Sequence, residues 1–117
     1  MELFRNYFKL PFKLDDYGCD YVWDATGCQM VLQFDDDINQ QIKNDVVNAI
    51  NTGEVSDHLK RQNFAFKEEE IFCNGEFMMC LRGWGYLTGQ GSLSLSDGSA
   101  IEIQNSLRDY IMQKIQP

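Results

Sequence analysis

Two stretches of the chain carry apolar residues at helical spacing, and two others carry the short runs of strands closed by turn residues. Ile38, Ile42, Val46, Ala49 and Ile50 recur at three- and four-residue intervals and stop at Asn51-Thr52-Gly53. This spacing predicts a first helix from about Asp36 to Asn51, with the acids Asp35 to Asp37 favouring its positive end and Gly53 as its stop. Near the other terminus Ile103, Leu107, Tyr110, Ile111 and Ile115 form one apolar stripe. Ser99 and Glu102 ahead of it have the spacing of a capping box, so the second helix is predicted from about Ala100 to Ile115.

Between and before the helices the period shortens. Residues 20 to 34 hold two β-rich runs around a polar turn that ends in glycine, a hairpin signal. Glu70 to Cys73 and Glu76 to Leu81 flank Asn74-Gly75, the strongest short hairpin turn. With that turn Cys73 faces Glu76 and Cys80 faces Glu69, so the two cysteines are not cross-strand partners. Ser92 to Ser96 alternates as a short half-buried strand would. Leu3-Phe4 and Tyr7-Phe8 fit either a helical turn or an added strand, ending by Pro11. The predicted fold is a single α+β domain over 1–117: an antiparallel sheet of four to six strands with two helices on one face. It is built as two hairpin-plus-helix halves, about 15–53 and 64–117.

Composition narrows the class. The chain has 117 residues, 44% of them hydrophobic, enough for one buried core and too apolar for a disordered tail. The longest uncharged stretch, Gly83 to Ser96, is broken by four glycines and does not read as a membrane span. The opening Met-Glu-Leu-Phe-Arg has no basic region or small-residue cleavage site, and the expected compartment is the cytoplasm. In that compartment Cys19, Cys28, Cys73 and Cys80 read as reduced core thiols. There is no Cys-x-x-Cys pair, and the single histidine, His58, lies in a polar stretch and reads as a solvated loop residue. No metal and no cofactor are expected.

Several quoted segments taken together resemble a family. Leu10-Pro11-Phe12-Lys13-Leu14-Asp15, Tyr21-Val22-Trp23-Asp24, Met30-Val31, Asn74-Gly75, Arg82-Gly83-Trp84-Gly85-Tyr86-Leu87-Thr88-Gly89 and Ile103-Gln104 are similar to small uncharacterised accessory proteins of Bacteroides-group gut bacteria and their phages. The resemblance spans most of the chain. It implies an accessory protein of a phage or mobile element and transfers no catalytic residue.

Charge supplies the first candidate site. Residues 1 to 58 hold 11 acids and 4 bases, whereas residues 59 to 117 hold 7 and 6, so the net charge of −8 divides as −7 and −1. Asp15, Asp16, Asp20, Asp35, Asp36 and Asp37 form a candidate acidic face that imitates a nucleic-acid backbone and steers a basic partner. The plainer alternative is a solvated face, with Asp35 to Asp37 serving only the helix start. The expected partner is a protein, of the kind that handles nucleic acid. Direct nucleic-acid binding is not expected from so acidic a chain, nor is a membrane partner, and a homodimer stays open.

A second candidate lies in the glycine stretch. Gly83, Gly85 and Gly89 let backbone N–H groups approach a ligand, Trp84 and Tyr86 offer stacking rings, and Arg82 offers a fork for phosphate or carboxylate. That would make a small-ligand, nucleotide-like binding module. The alternative is a bulged strand with its aromatics in the core. Neither the phosphate-loop nor the dinucleotide pattern is present. No nucleophile elbow or oriented histidine appears either, so the protein is read as non-catalytic. The remaining aromatics, Phe4, Phe8, Phe12, Trp23, Phe34, Phe64, Phe66, Phe72 and Phe77, read as core. Helices on one face only would leave aromatic area on the other as a dimer or partner surface, with Met78 and Met79 pointing to opposite faces.

Overall fold

The Asn74-Gly75 turn forms as its residue types demand: both sit at positive φ, 54° and 85°, the geometry that lets a two-residue turn follow the right-handed strand twist. In a computed structural model describing residues 3–15, 20–27, 29–67, 70–81 and 97–116, this turn joins β5 (Glu70–Cys73) to β6 (Glu76–Leu81). The earlier hairpin pairs β2 (Tyr21–Trp23) with β3 (Met30–Phe34). Its turn is organised by Asp24, whose buried carboxylate accepts hydrogen bonds from the Thr26 hydroxyl at 2.6 Å, the Thr26 N–H at 3.2 Å and the Lys9 N–H at 3.0 Å. Gly27 follows at φ 75°.

Each hairpin gains an outer strand, β1 (Lys13–Leu14) beside β2 and β4 (Phe64–Lys67) beside β5. Among the described residues the sheet has six strands in the order β1-β2-β3-β6-β5-β4, all antiparallel. Each half is thus a three-strand meander followed by a helix, and the meanders meet where β3 pairs with β6. Leu3 to Asn6 form a 3-10 turn, which decides between the two expectations for that segment.

The first helix, α1, spans Gln40–Thr52, four residues shorter at its start than expected. Its N-cap is Asn39, whose side chain accepts the Gln41 N–H at 2.7 Å, while the Ile38 N–H turns back to the Asp35 carbonyl at 3.1 Å. Asp35 to Asp37 therefore form a separate turn and do not serve the helix start, because an amide side chain already meets the free N–H groups. Gly53 ends α1 as expected, at φ 79° with its N–H on the Ala49 carbonyl. The polar stretch after it holds a short helix, α2 (Asp57–Lys60), capped by the Ser56 hydroxyl. His58 is on α2 and faces Asp45 at 3.6 Å, so it is not a free loop residue.

The last helix, α3, spans Asp97–Ile115. Its backbone is already helical at Asp97, which puts Ser99 inside the first turn and rules out the expected capping box. Both long helices lie on one face of the sheet and pack on each other, with the 3-10 turn against α3. The core holds Val46 and Ile50 of α1 and Ile103, Leu107 and Ile111 of α3, all from the predicted stripes. Asn51 ties the N-terminal segment to α1 by imitating a strand partner: it accepts the Phe12 N–H at 2.8 Å and donates to the Phe12 carbonyl at 2.7 Å.

Departures from the expected core follow from register. A bulge between Ile71 and Phe72 sets Cys80 opposite Glu70, where an even ladder would set it opposite Glu69. The extra residue leaves Met78 and Met79 both fully buried, so they do not divide between the faces. Cys73 is a buried thiol outside any disulfide, pushed up from its ordinary value by burial and then by Glu76; Cys80 is half-buried, outside the core. Trp23, Phe72 and Phe77 are likewise half-buried, and Phe66 is 46% exposed, because these positions lie on the face away from α1 and α3 or at the edge of the described sheet.

Candidate functional site

Antiparallel pairing brings the acidic residues together without help from their sequence spacing. At one end of the sheet β1 finishes, β2 starts and β3 finishes. Asp15 donates its N–H to the Tyr21 carbonyl at 2.8 Å, Asp20 accepts the Phe34 N–H at 2.7 Å, and Asp35 donates to the Met78 carbonyl at 2.8 Å. Of the six residues of the expected acidic face, Asp15, Asp20, Asp35, Asp36 and Asp37 therefore gather at this end. Asp16 lies outside the described residues. Asp15 is partly engaged, accepting the Trp23 indole N–H at 3.4 Å.

Next to these acids a cleft of about 270 Å³ opens between β3, β5 and β6. Asp35, Asp36 and Glu70 supply carboxyl groups to its lining, Gln33 an amide, Phe77 a ring and Cys80 a thiol, with Phe34 completing the wall. Strand register explains the combination: Gln33 pairs with Cys80 and Cys80 with Glu70, so the three stand in one row across the face that the helices leave open. Phe77 and Phe72 sit one step along in an edge-on pair at 6.1 Å. The row mixes charge, amide and thiol at positions where the helix-side face has only apolar side chains.

A buried lysine underlies the acidic end. Ile42, expected in the core, is half-buried, and its neighbour Lys43 takes the buried position at 4% exposure. The Lys43 ammonium reaches the Asp20 carboxylate at 2.9 Å. That contact, followed by a hydrogen bond from Asp36, holds the Asp20 carboxyl below the ordinary aspartate value. Asp36 is pushed the other way, first by the same hydrogen bond with Asp20 and by its charge, then by desolvation and by Asp35 and Asp37. The site is thus a strongly negative pocket with an aromatic side and a lysine anchored behind it.

Sequence reasoning reached the aspartates but not Gln33, Lys43, Glu70, Phe77 or Cys80 as parts of one site. The signal available for Lys43 was a charged residue adjoining an apolar helical stripe; for the others only strand order would have served. The alternative ligand residues Arg82, Gly83, Trp84, Gly85, Tyr86 and Gly89 lie outside the described residues, as do Cys19, Cys28 and Ser92 to Ser96. A second cleft of about 270 Å³, more apolar, runs between α2 and the end of α3, lined by Val55, Leu59, Lys60, Gln62, Ile115 and Gln116. Among the described residues no group of three or more His, Cys, Asp or Glu is arranged to hold a metal ion, and no helix is long and apolar enough to cross a membrane. Comparison with known proteins finds no matching family model, no matching curated protein and no matching solved structure.

Proposed function

We propose that this protein is a non-catalytic binding protein that receives a basic segment of a protein partner in the acidic cleft. The observation that supports this reading most is the composition of the cleft's lining, in which Asp35, Asp36 and Glu70 stand with Phe77. An arginine or lysine side chain suits such a lining, because carboxylates accept its N–H donors and an aromatic face attracts the cation. Asp15, Asp20 and Asp37 outside the cleft extend the negative field and would speed encounter with a basic surface. A nucleic-acid-handling protein, whose groove is basic, fits that description. The resemblance noted above would make the protein an accessory or inhibitor protein of a phage or mobile element.

The test is binding of a labelled oligo-arginine peptide to the full chain, followed by fluorescence anisotropy at low and high salt. The expected result is saturable binding that weakens with salt and falls by about tenfold in the double variant Asp35→Asn/Glu70→Gln. Equal binding by the double variant, at a melting temperature unchanged from the parent, would remove the cleft from the proposal.

A further inference from the structure

The second cleft, between α2 and the end of α3, has no part in the reading above, and its lining is of a different kind. Leu59 and Ile115, each at most 2% exposed, and the half-buried Val55 supply its apolar surface. The α2 wall is fixed in place: the Ser56 hydroxyl accepts the Leu59 N–H at 3.0 Å and donates to the Asp45 carboxylate of α1 at 3.0 Å. The two glutamines of the lining have their oxygens engaged within the protein. Gln62 accepts the Asn74 side-chain N–H at 2.8 Å and donates to the His58 carbonyl at 3.1 Å, and Gln116 accepts the Phe64 N–H at 2.9 Å. Among the described residues Lys60 is the only charged side chain in the lining, and its ammonium meets the Asp57 carboxylate at 3.9 Å with both groups largely exposed. An ion pair that open contributes little and leaves the ammonium available.

We propose that this cleft binds a small organic acid: a carboxylate on a short aliphatic or aryl-alkyl body that lies against Val55, Leu59 and Ile115 with its charge at Lys60. Size sets the body. At about 270 Å³ the cleft exceeds the roughly 150 Å³ cavity that admits benzene and falls short of the roughly 300–1,000 Å³ of sites for drug-sized ligands. One ring with a chain of a few carbons fits entire, so the occupant is the free acid. Charge sets the head. A carboxylate is acceptor-only and complements an ammonium, whereas a cation would meet Lys60 with no acidic residue in the lining to offset it. The distribution of charge along the chain permits this: five of the six lining residues come from the stretch after residue 58, which carries −1 of the total −8. The inference does not rest on the acidic cleft.

Titration of the full chain with phenylbutyrate, followed by methyl nuclear magnetic resonance, tests this. Saturable shifts are expected at Val55, Leu59 and Ile115, with the methyl groups of Val22, Val31 and Leu81 in the sheet unmoved. Phenylbutanol, the same body without the charge, should bind about fivefold more weakly at low salt. In Lys60→Met, which keeps the apolar stem and loses the charge, acid and alcohol should bind alike. Absence of methyl shifts up to the solubility limit of the acid would overturn the site. Equal binding of acid and alcohol by the parent would overturn the carboxylate assignment. A third arm decides the source of the carboxylate: a short peptide ending in phenylalanine with a free C-terminal carboxylate should bind more weakly than phenylbutyrate. Tighter binding of that peptide, with the same methyl groups shifted, would overturn the free acid in favour of the C-terminus of a protein.

Discussion

The two faces of the sheet are made by the same strand pairings and do opposite things. On the helix side Val22, Leu32 and Leu81 stand in one cross-strand row and Phe34, Met79 and Ile71 in another, every one buried to within 1%. On the far side, one residue away along each strand, the row reads Tyr21, Gln33, Cys80 and Glu70, and all four are half-buried. A period of two along each strand therefore separates a closed core from an open cleft while the ladder fixes both in register. The cleft needs no flexible loop to hold its side chains; the core holds it from behind.

The largest way to break this contrast is to empty the closed face. Leu81→Ala should cost about 2–5 kcal/mol in urea unfolding, since a fully buried leucine leaves a cavity that a packed sheet closes poorly. Lys43→Ala comes next. It removes the ammonium that Asp20 faces and the stem that fills a buried slot, and should cost about 1–3 kcal/mol by the same measurement. On the open face Glu70→Gln should move stability by no more than about 0.5 kcal/mol while weakening the oligo-arginine peptide, which separates folding from binding within one row of the sheet.

The smallest effect sharpens the contrast through pH. Asp36 has a raised value in the fold, so the stability it contributes is present under acid conditions and lost as pH rises through that value. Asp20 has a lowered value, so its contribution is present above the ordinary aspartate range and lost as pH falls through the folded value. Asp36→Asn should therefore melt higher than the parent at neutral pH, with the difference shrinking toward acid pH. A difference constant with pH in thermal melts would show that Asp36 carries no shifted proton.

What could be seen from sequence were features that a few neighbouring residues decide. Asn74-Gly75 and Gly53 need positive φ and are small or amide residues, so they mark their turns directly. The α3 stripe is long enough for its phase to be unambiguous. Helix α1 was less clear, because acids at Asp35 to Asp37 and an amide at Asn39 compete as starting signals, and the one that places an oxygen against the Gln41 N–H prevails. The cleft was hidden for a different reason. Gln33 and Asp35 meet Glu70, Phe77 and Cys80 only through the β3–β6 pairing, and no local preference encodes which strand lies beside which. Even the correct hairpin left Cys80 opposite Glu69 by counting, since a single bulged residue shifts every later partner.

The edge strand β4 has a last consequence, for self-association. Asn63 turns its carbonyl inward to the Asn74 N–H at 2.7 Å, so the next residue, Phe64, turns its N–H outward, and the Gln116 side-chain oxygen meets it at 2.9 Å. Two positions on, Phe66 shows its ring to solvent beneath the Arg108 guanidinium at 4.3 Å. An outward donor beside an exposed ring is where another chain's strand would begin to add, and here an amide from beyond the end of α3 already occupies the donor. The Gln116 side chain, just past α3 and with no part in the core, thus covers a backbone donor of β4 that would otherwise face outward unpaired.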